Sequence, residues 1–375
     1  SSPTVAVGVD RFGTYAGGGV TLFWTDMLGY HTLATMIQST YELKGLAALV
    51  GYQNSKSRWN WGGVIQRYPY VYYAGYYQGP DPEGSDYWVE KQALFWQFNY
   101  QVAGFVSYPF SPVRRLEFST GLNYIDYDYE IVTDYYSPYD FSQVGRDREK
   151  LPIGFSNLAL YYASLALIYD SAIFGATGPI LGQSYVLEVA PTLGSLSYVD
   201  IIADYRRYLV PKRPFTLAFR ALMYGRFGKD ADDYRLGAYY VGFPSLVRGY
   251  DYYYSFSSAD PSEIYYGNQL YGSKIMVANA ELRFPLFGVF GIGKGYYGVF
   301  PVDFVAFYDW GCAWWNNPPE GAYSFSEAIR NPISSAGVGL RVNLFGFMVL
   351  GVNYVKPFAR EGQGWYVQVS FYPGF

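Results

Sequence analysis

Side chains able to run chemistry are scarce in this chain. His31 is the only histidine, placed in the turn DMLGYH. One imidazole cannot build a multi-histidine metal centre, and a Ser-His-Asp relay would need it beside a nucleophile in one pocket. His31 therefore reads as a turn residue. Cys312 is the only cysteine, which excludes an intrachain disulfide and a thiolate metal cluster. The segment GVFGIGKG, residues 288–295, approaches a phosphate-binding loop, but Gly295 stands where Ser or Thr is required and no strand–helix–strand unit surrounds it. Acidic groups at Asp126, Asp128 and Glu130, and at Asp230, Asp232 and Asp233, carry the oxygen ligands that calcium takes, although solvated loop charge explains them equally. No catalytic residue, metal or cofactor is expected.

The frame that must hold these residues is legible as a period of two. In FTLAFRALMY, Phe215, Leu217, Phe219, Ala221 and Met223 share one parity and Thr216, Ala218, Arg220 and Tyr224 the other. In SYVDIIADYR, Val199, Ile201, Ala203 and Tyr205 oppose Asp200, Asp204 and Arg206. The same alternation sets Met276, Ala278, Ala280, Leu282 and Phe284 against Asn279, Glu281 and Arg283, and sets Val302, Phe304, Ala306, Tyr308 and Trp310 against Asp303 and Asp309. It returns in Val338, Leu340, Val342 and Leu344 against Gly337, Gly339, Arg341 and Asn343, and in Trp365, Val367, Val369 and Phe371 against Tyr366, Gln368 and Ser370. One apolar and one polar parity over about 9 to 11 residues is the pattern of a strand with lipid on one side and a wet lumen on the other.

Composition agrees. Aromatics reach 21% of the chain, with 44 Tyr, 27 Phe and 9 Trp, a load that suits aromatic girdles at two membrane interfaces. The longest apolar stretches, such as Phe345 to Val352, fall short of the roughly 18 to 20 residues of a spanning helix. The formal charge of −4 and the lack of a Lys/Arg run give no surface for nucleic acid. Connections alternate in length: short turns at Asp26–Tyr30, Ser111–Val113, Val210–Arg213 and near Phe345–Phe347, and long polar connections at Gln78–Tyr87, Thr133–Lys150, Lys229–Gly272 and Trp315–Ser335. The expected fold is all-β: one domain over residues 1–375, a transmembrane antiparallel β-barrel of about 16 strands in the outer membrane, both termini periplasmic. The opening SSPTVAVGVD has neither the basic segment nor the apolar run of an export signal, so export is inferred from the barrel pattern.

The longest connection carries FPSLVRGYD, residues 243–251. In order after it come ANAELRFPL (278–286), FVAFYDWG (304–311) and SSAGVGLRVNL (334–344), and the chain ends in Phe375 after WYVQVSFYPG. The set resembles the VRG(F/Y) loop and following strands of the BamA/TamA superfamily of outer-membrane assembly barrels, the bacterial surface antigen family, and the end resembles an outer-membrane sorting signal. A loop of about 44 residues, at roughly 3.3 Å per extended residue, can enter the lumen and return. Arg248 would then meet Glu281 and Asp309, both lumenal by parity, with a fork able to engage two carboxylates. Gly249 lets the backbone turn beside the arginine. The resemblance implies the same arginine-to-wall contact, with Arg248, Gly249, Tyr250, Glu281 and Asp309 forming a loop lock.

The resemblance also implies assembly, insertion or translocation of outer-membrane proteins. The first strand, about Thr4 to Arg11, would pair poorly with the last, about Trp365 to Phe375, so that the seam opens and its edges template a client strand. Pro373 lacks a donor and Gly374 is flexible, which shortens the terminal ladder. Expected partners are outer-membrane lipid and lipopolysaccharide, unfolded outer-membrane clients, and periplasmic or lipoprotein accessory subunits. Barrels of this family normally follow POTRA domains, whereas this sequence enters its first strand almost at once, so it reads as a barrel domain without them. The competing readings are a passive pore or structural barrel with the same lumenal charges, and an outer-membrane lipase, for which His31 would have to find a serine.

Overall fold

The computed structural model describes residues 2–10, 13–39, 43–250, 269–319, 321–346, 348–360 and 362–373. The strands are, in chain order, β1 (Ser2–Asp10), β2 (Gly13–Thr25), β3 (His31–Ser39), β4 (Leu46–Asn54), β5 (Asn60–Pro80), β6 (Trp88–Ser111), β7 (Arg114–Tyr136), β8 (Gln143–Leu151) and β9 (Leu158–Asp170). They continue with β10 (Ile173–Phe174), β11 (Pro179–Gly194), β12 (Tyr198–Lys212), β13 (Phe215–Phe227), β14 (Tyr239–Tyr240), β15 (Tyr271–Gly272), β16 (Lys274–Pro285), β17 (Val302–Trp314), β18 (Ile333–Leu344), β19 (Met348–Pro357) and β20 (Tyr366–Pro373). Residues fall into two compact units: 1–108, 118–163 and 192–196 in the first, and 109–117, 164–191 and 197–375 in the second.

In the first unit β1 to β6 pair in sequence order, each antiparallel to the next. Asp26 shows how the tight β2–β3 reversal forms: its carbonyl accepts from Gly29 N–H at 3.0 Å and its carboxylate from His31 N–H at 2.8 Å. His31 is thus the first residue of β3, its ring nitrogen 2.7 Å from the Tyr52 hydroxyl. The span Thr133–Lys150, expected as a long connection, is mostly ladder: β8 pairs with the distal part of β7, leaving 137–142 as the turn. The polar residues that suggested a loop are used across the strands, with Arg146 forking onto Asp134 at 2.6 and 2.8 Å.

In the second unit β12, β13, β16, β17, β18, β19 and β20 are consecutive antiparallel neighbours. Exposure alternates along them. On β16 Ala278 and Leu282 are exposed while Val277 and Glu281 are buried, and on β20 Val369 is 54% exposed beside Gln368 at 3%. One face of this sheet is therefore apolar and open, and the other carries the polar parity and is covered. The last strand begins at Tyr366, so Trp365 precedes it and lies against Tyr354 with ring centroids 5.2 Å apart. Arg11 and Phe375, the expected outer ends of the first and last strands, lie outside the described residues.

A residue at the middle of the exposed face tests this face assignment. In lipid vesicles Val369→Arg should lower the unfolding free energy by about 2–4 kcal/mol, and Val369→Ile should stay within about 0.5 kcal/mol of the parent. Urea titration reads both, and an arginine tolerated as well as the isoleucine would put this face in water.

Candidate functional site

The connection after β13 folds back onto the covered face because its apolar residues have a surface to bury there. Val241, Val247, Tyr240, Tyr250 and Leu270 pack with Leu222, Ile275, Val277, Ala313 and Ile333 in one buried cluster. Its two limbs are zipped by β14 pairing with β15. A turn forms after β14, where Leu246 and Val247 N–H groups both donate to Phe243 O, at 2.7 and 3.0 Å. The turn ends in Arg248, which is 3% exposed.

A guanidinium at that depth needs compensation, since an unpaired buried charge costs several kcal/mol. Asp309, fully buried on β17, supplies most of it. Arg248 Nε donates to Oδ2 at 2.6 Å and Nη2 to Oδ1 at 2.7 Å, and the Arg248 backbone N–H adds a third bond to Oδ2 at 3.1 Å. Glu281 on β16 stands 2.8 Å from Arg248 Nη2. The guanidinium also lies over the Phe307 ring, 3.6 Å from its centroid, so charge and planar stacking act on the same group. Phe307 fits there because β18 has Gly337 opposite it, where a Cβ would come within 2.7 Å of the ring.

The neighbours of this pair extend the network. Glu281 receives Arg283 Nε at 2.6 Å and Arg341 Nη2 at 2.8 Å in addition to Arg248. Asn279 donates to Asp309 at 2.8 Å and to Leu246 O at 2.7 Å, and Arg220, forked on Asp204, donates to Ser245 O at 2.9 Å. Gly249 takes φ +92°, a left-handed conformation that an added Cβ would strain. Tyr250 hydroxyl donates to Ser334 O at 2.8 Å and accepts from Ala359 N–H at 3.1 Å, and burial pushes its pKa up to about 12, so it stays protonated. Phe307, Asn279, Arg220, Arg283 and Arg341 were not named with the loop from sequence. The parity that put Glu281 and Asp309 on the covered face placed Asn279, Arg283 and Arg341 beside them.

Other candidate residues lie elsewhere. Val367, Val369 and Phe371 are on the exposed face of β20, and Trp365 just before it is exposed as well. Asp128 and Glu130 hold Lys44 at 2.7 and 2.8 Å. Asp233 is forked by Arg235, which holds its carboxyl below the ordinary value. Burial raises the Asp232 carboxyl, but the Ser273 hydroxyl, the Asn317 N–H and Lys274 outweigh it and leave it lowered. Asp128 and Glu130, on β7, and Asp232 and Asp233, in the connection after β13, thus face protein partners. Of residues 288–295, the first two end a short helix (Leu286–Val289) after β16 and the rest form turns and bends, and Cys312 is buried on β17.

The model of the Omp85 superfamily domain matches residues 91–374, most of the chain and all of the site. The chain belongs to the Omp85 superfamily. Among solved structures this Omp85 chain is similar to BamA from Haemophilus ducreyi lacking POTRA domains 1–3, at TM-score 0.62 and 14% identity, over 98% of this chain and 68% of that one. It is also similar to CdiB from Acinetobacter baumannii, at TM-score 0.52 and 12% identity, over 96% of this chain and 57% of that one. The family match bears out the resemblance drawn from FPSLVRGYD and the strands after it, and the likeness to these structures bears out the all-β antiparallel barrel fold. At these identities the likeness is one of fold. No curated protein matches the sequence.

Removing the arginine alone leaves Asp309 and Glu281 buried with part of their compensation gone, a change that costs about 3–5 kcal/mol in a dry interior and less where water enters. Arg248→Ala should therefore lower the temperature at which the folded, fast-migrating form is lost on a semi-native gel. Arg248→Lys should recover only part, because an ammonium has no fork and stacks poorly on Phe307. Equal melting of parent and alanine variant would contradict the assignment.

Proposed function

We propose that this chain is the barrel domain, residues 1–375, of an outer-membrane machine that inserts or translocates other polypeptides. It works through a seam between its first and last strands, steadied by the VRGY loop on the lumenal wall. The observation that supports this reading most directly is the clasp of Arg248 on Asp309 and Glu281, set in a chain of the Omp85 superfamily. Without the two-residue strands, and with β8 and β9 counted together because both pair with β7, the described residues give about 16 strands, an even number that suits both termini on the periplasmic side. The exposed Val338, Leu340, Val367, Val369 and Phe371 suit contact with lipid and the acyl chains of lipopolysaccharide.

The chemistry required is that of the backbone alone. A strand edge carries unpaired N–H and C=O groups, and in lipid each unsatisfied group costs several kcal/mol, so an edge uncovered at the seam has a strong preference for an incoming strand. Clients are unfolded outer-membrane proteins, delivered by periplasmic or lipoprotein subunits. Arg248 contributes by keeping β16 and β17 rigid while the seam moves. This role calls for no nucleotide, metal or catalytic residue.

Liposomes carrying the purified chain should fold a urea-unfolded eight-stranded outer-membrane protein several-fold faster than bare liposomes, read as the appearance of its heat-resistant band. A disulfide tethering the first strand to the last should abolish the gain. Folding no faster than on bare liposomes, or undiminished by the tether, would refute the reading.

A further inference from the structure

The covered face of the second unit has a second visitor besides the loop. Residues 171–178 connect β9 to β11 as a hairpin end, with β10 paired to β11 and Gly175 N–H donating to Gly178 O at 2.8 Å, and the turn at its end reaches other strands. Ala176 N–H donates to the Tyr297 hydroxyl at 2.7 Å, in the turn between β16 and β17. Asn343, on β18, donates to Ala176 O, and the Thr177 hydroxyl donates to Asp303, both of these side chains being buried. Arg283 on β16 donates to Pro179 O at 3.2 Å. A connection between β9 and β11 is thus fastened to three strands far along the sheet, at sequence separations of more than a hundred residues.

The attachment points lie at a definite end of those strands. The strap meets β16 at Arg283 and β17 at Asp303, near the end where the short turns lie, whereas the loop meets the same strands at Asn279, Glu281 and Asp309, nearer the other end. Between the two is a cavity of about 490 Å³. Ala172, Phe174 and Thr177 line it from the strap, and Ser245, Leu246 and Arg248 from the loop. Arg283 touches both systems, since it bonds Glu281 as well as Pro179.

We propose that residues 171–178 are a latched strap that closes this cavity on the side away from the loop, with Asn343 and Asp303 as the latch. Two plugs then hold one interior space, each fastened to β16 and β17. The latch consists of hydrogen bonds from Ala176 and Thr177 to side chains, so the end of the strap can be released while β10 keeps its pairing with β11. Opening the strap gives access from the turn end while the loop stays in place. The inference depends on the barrel fold and not on the insertion reading, and its test uses no client.

The experiment measures thiol labelling inside the cavity. Ala218 is buried on β13 and lines the cavity, so Ala218→Cys in a Cys312→Ala background places one reporter there. Reconstituted barrels are treated with a charged, water-soluble maleimide. We expect slow labelling with the native strap, at least tenfold faster labelling when residues 172–178 are replaced by a short Gly-Ser turn, and a several-fold gain in Thr177→Val/Asn343→Ala. Each variant is first shown to be folded by its heat-modifiable migration, and the double variant decides alone where the replacement does not fold. Folded variants labelled at the native-strap rate, or a native-strap barrel already labelled as fast as they are, would overturn the proposal.

Discussion

Everything described on the covered face depends on one constraint: a guanidinium taken out of water must find carboxylates already in place. Desolvating a charge is compensated only where geometry is good and the remaining donors and acceptors are used. Arg248 meets that condition with a fork on Asp309, a third bond from its own backbone, Glu281 alongside and Phe307 beneath. The arrangement fixes the position of the turn ending in Arg248 and so one wall of the cavity. It also fixes the strands, because Asp309 and Glu281 belong to β17 and β16 and are held relative to each other through a shared cation.

The same constraint explains the crowd of arginines around Glu281. One carboxylate has about four lone-pair sites, and Arg248, Arg283 and Arg341 compete for them. Each arginine therefore needs another partner, and Arg283 finds one in Pro179 O. Arg283 thereby ties the start of β11, next to the strap, into the polar network.

Much of this was legible in the sequence, because the information is carried by parity. Glu281 and Asp309 fall on the polar side of two alternating segments, and Gln368 and Ser370 on the polar side of a third, so the covered face could be written down residue by residue. The approach of Arg248 needed a motif as well as a period. What parity could not show is which residues meet across strands. Phe307 looks apolar and unremarkable in its segment, and only the ladder sets it opposite Gly337, where it has room to lie under the guanidinium. The span Thr133–Lys150 misled for a related reason, since charges that pair across a ladder have the composition of a loop. The strap left no signal, because SAIFGATG has the small and flexible residues of any turn.

A double-mutant cycle on Arg248 and Asp309 tests the central claim most directly. Unfolding free energies in lipid vesicles are measured for the parent, Arg248→Ala, Asp309→Asn and the double variant, so that effects private to each residue cancel. The account predicts a coupling on the order of 1.5–3 kcal/mol, the range of charge-assisted hydrogen bonds between buried partners. Two single substitutions whose effects simply add would show that Arg248 and Asp309 do not hold one another, and would contradict the account.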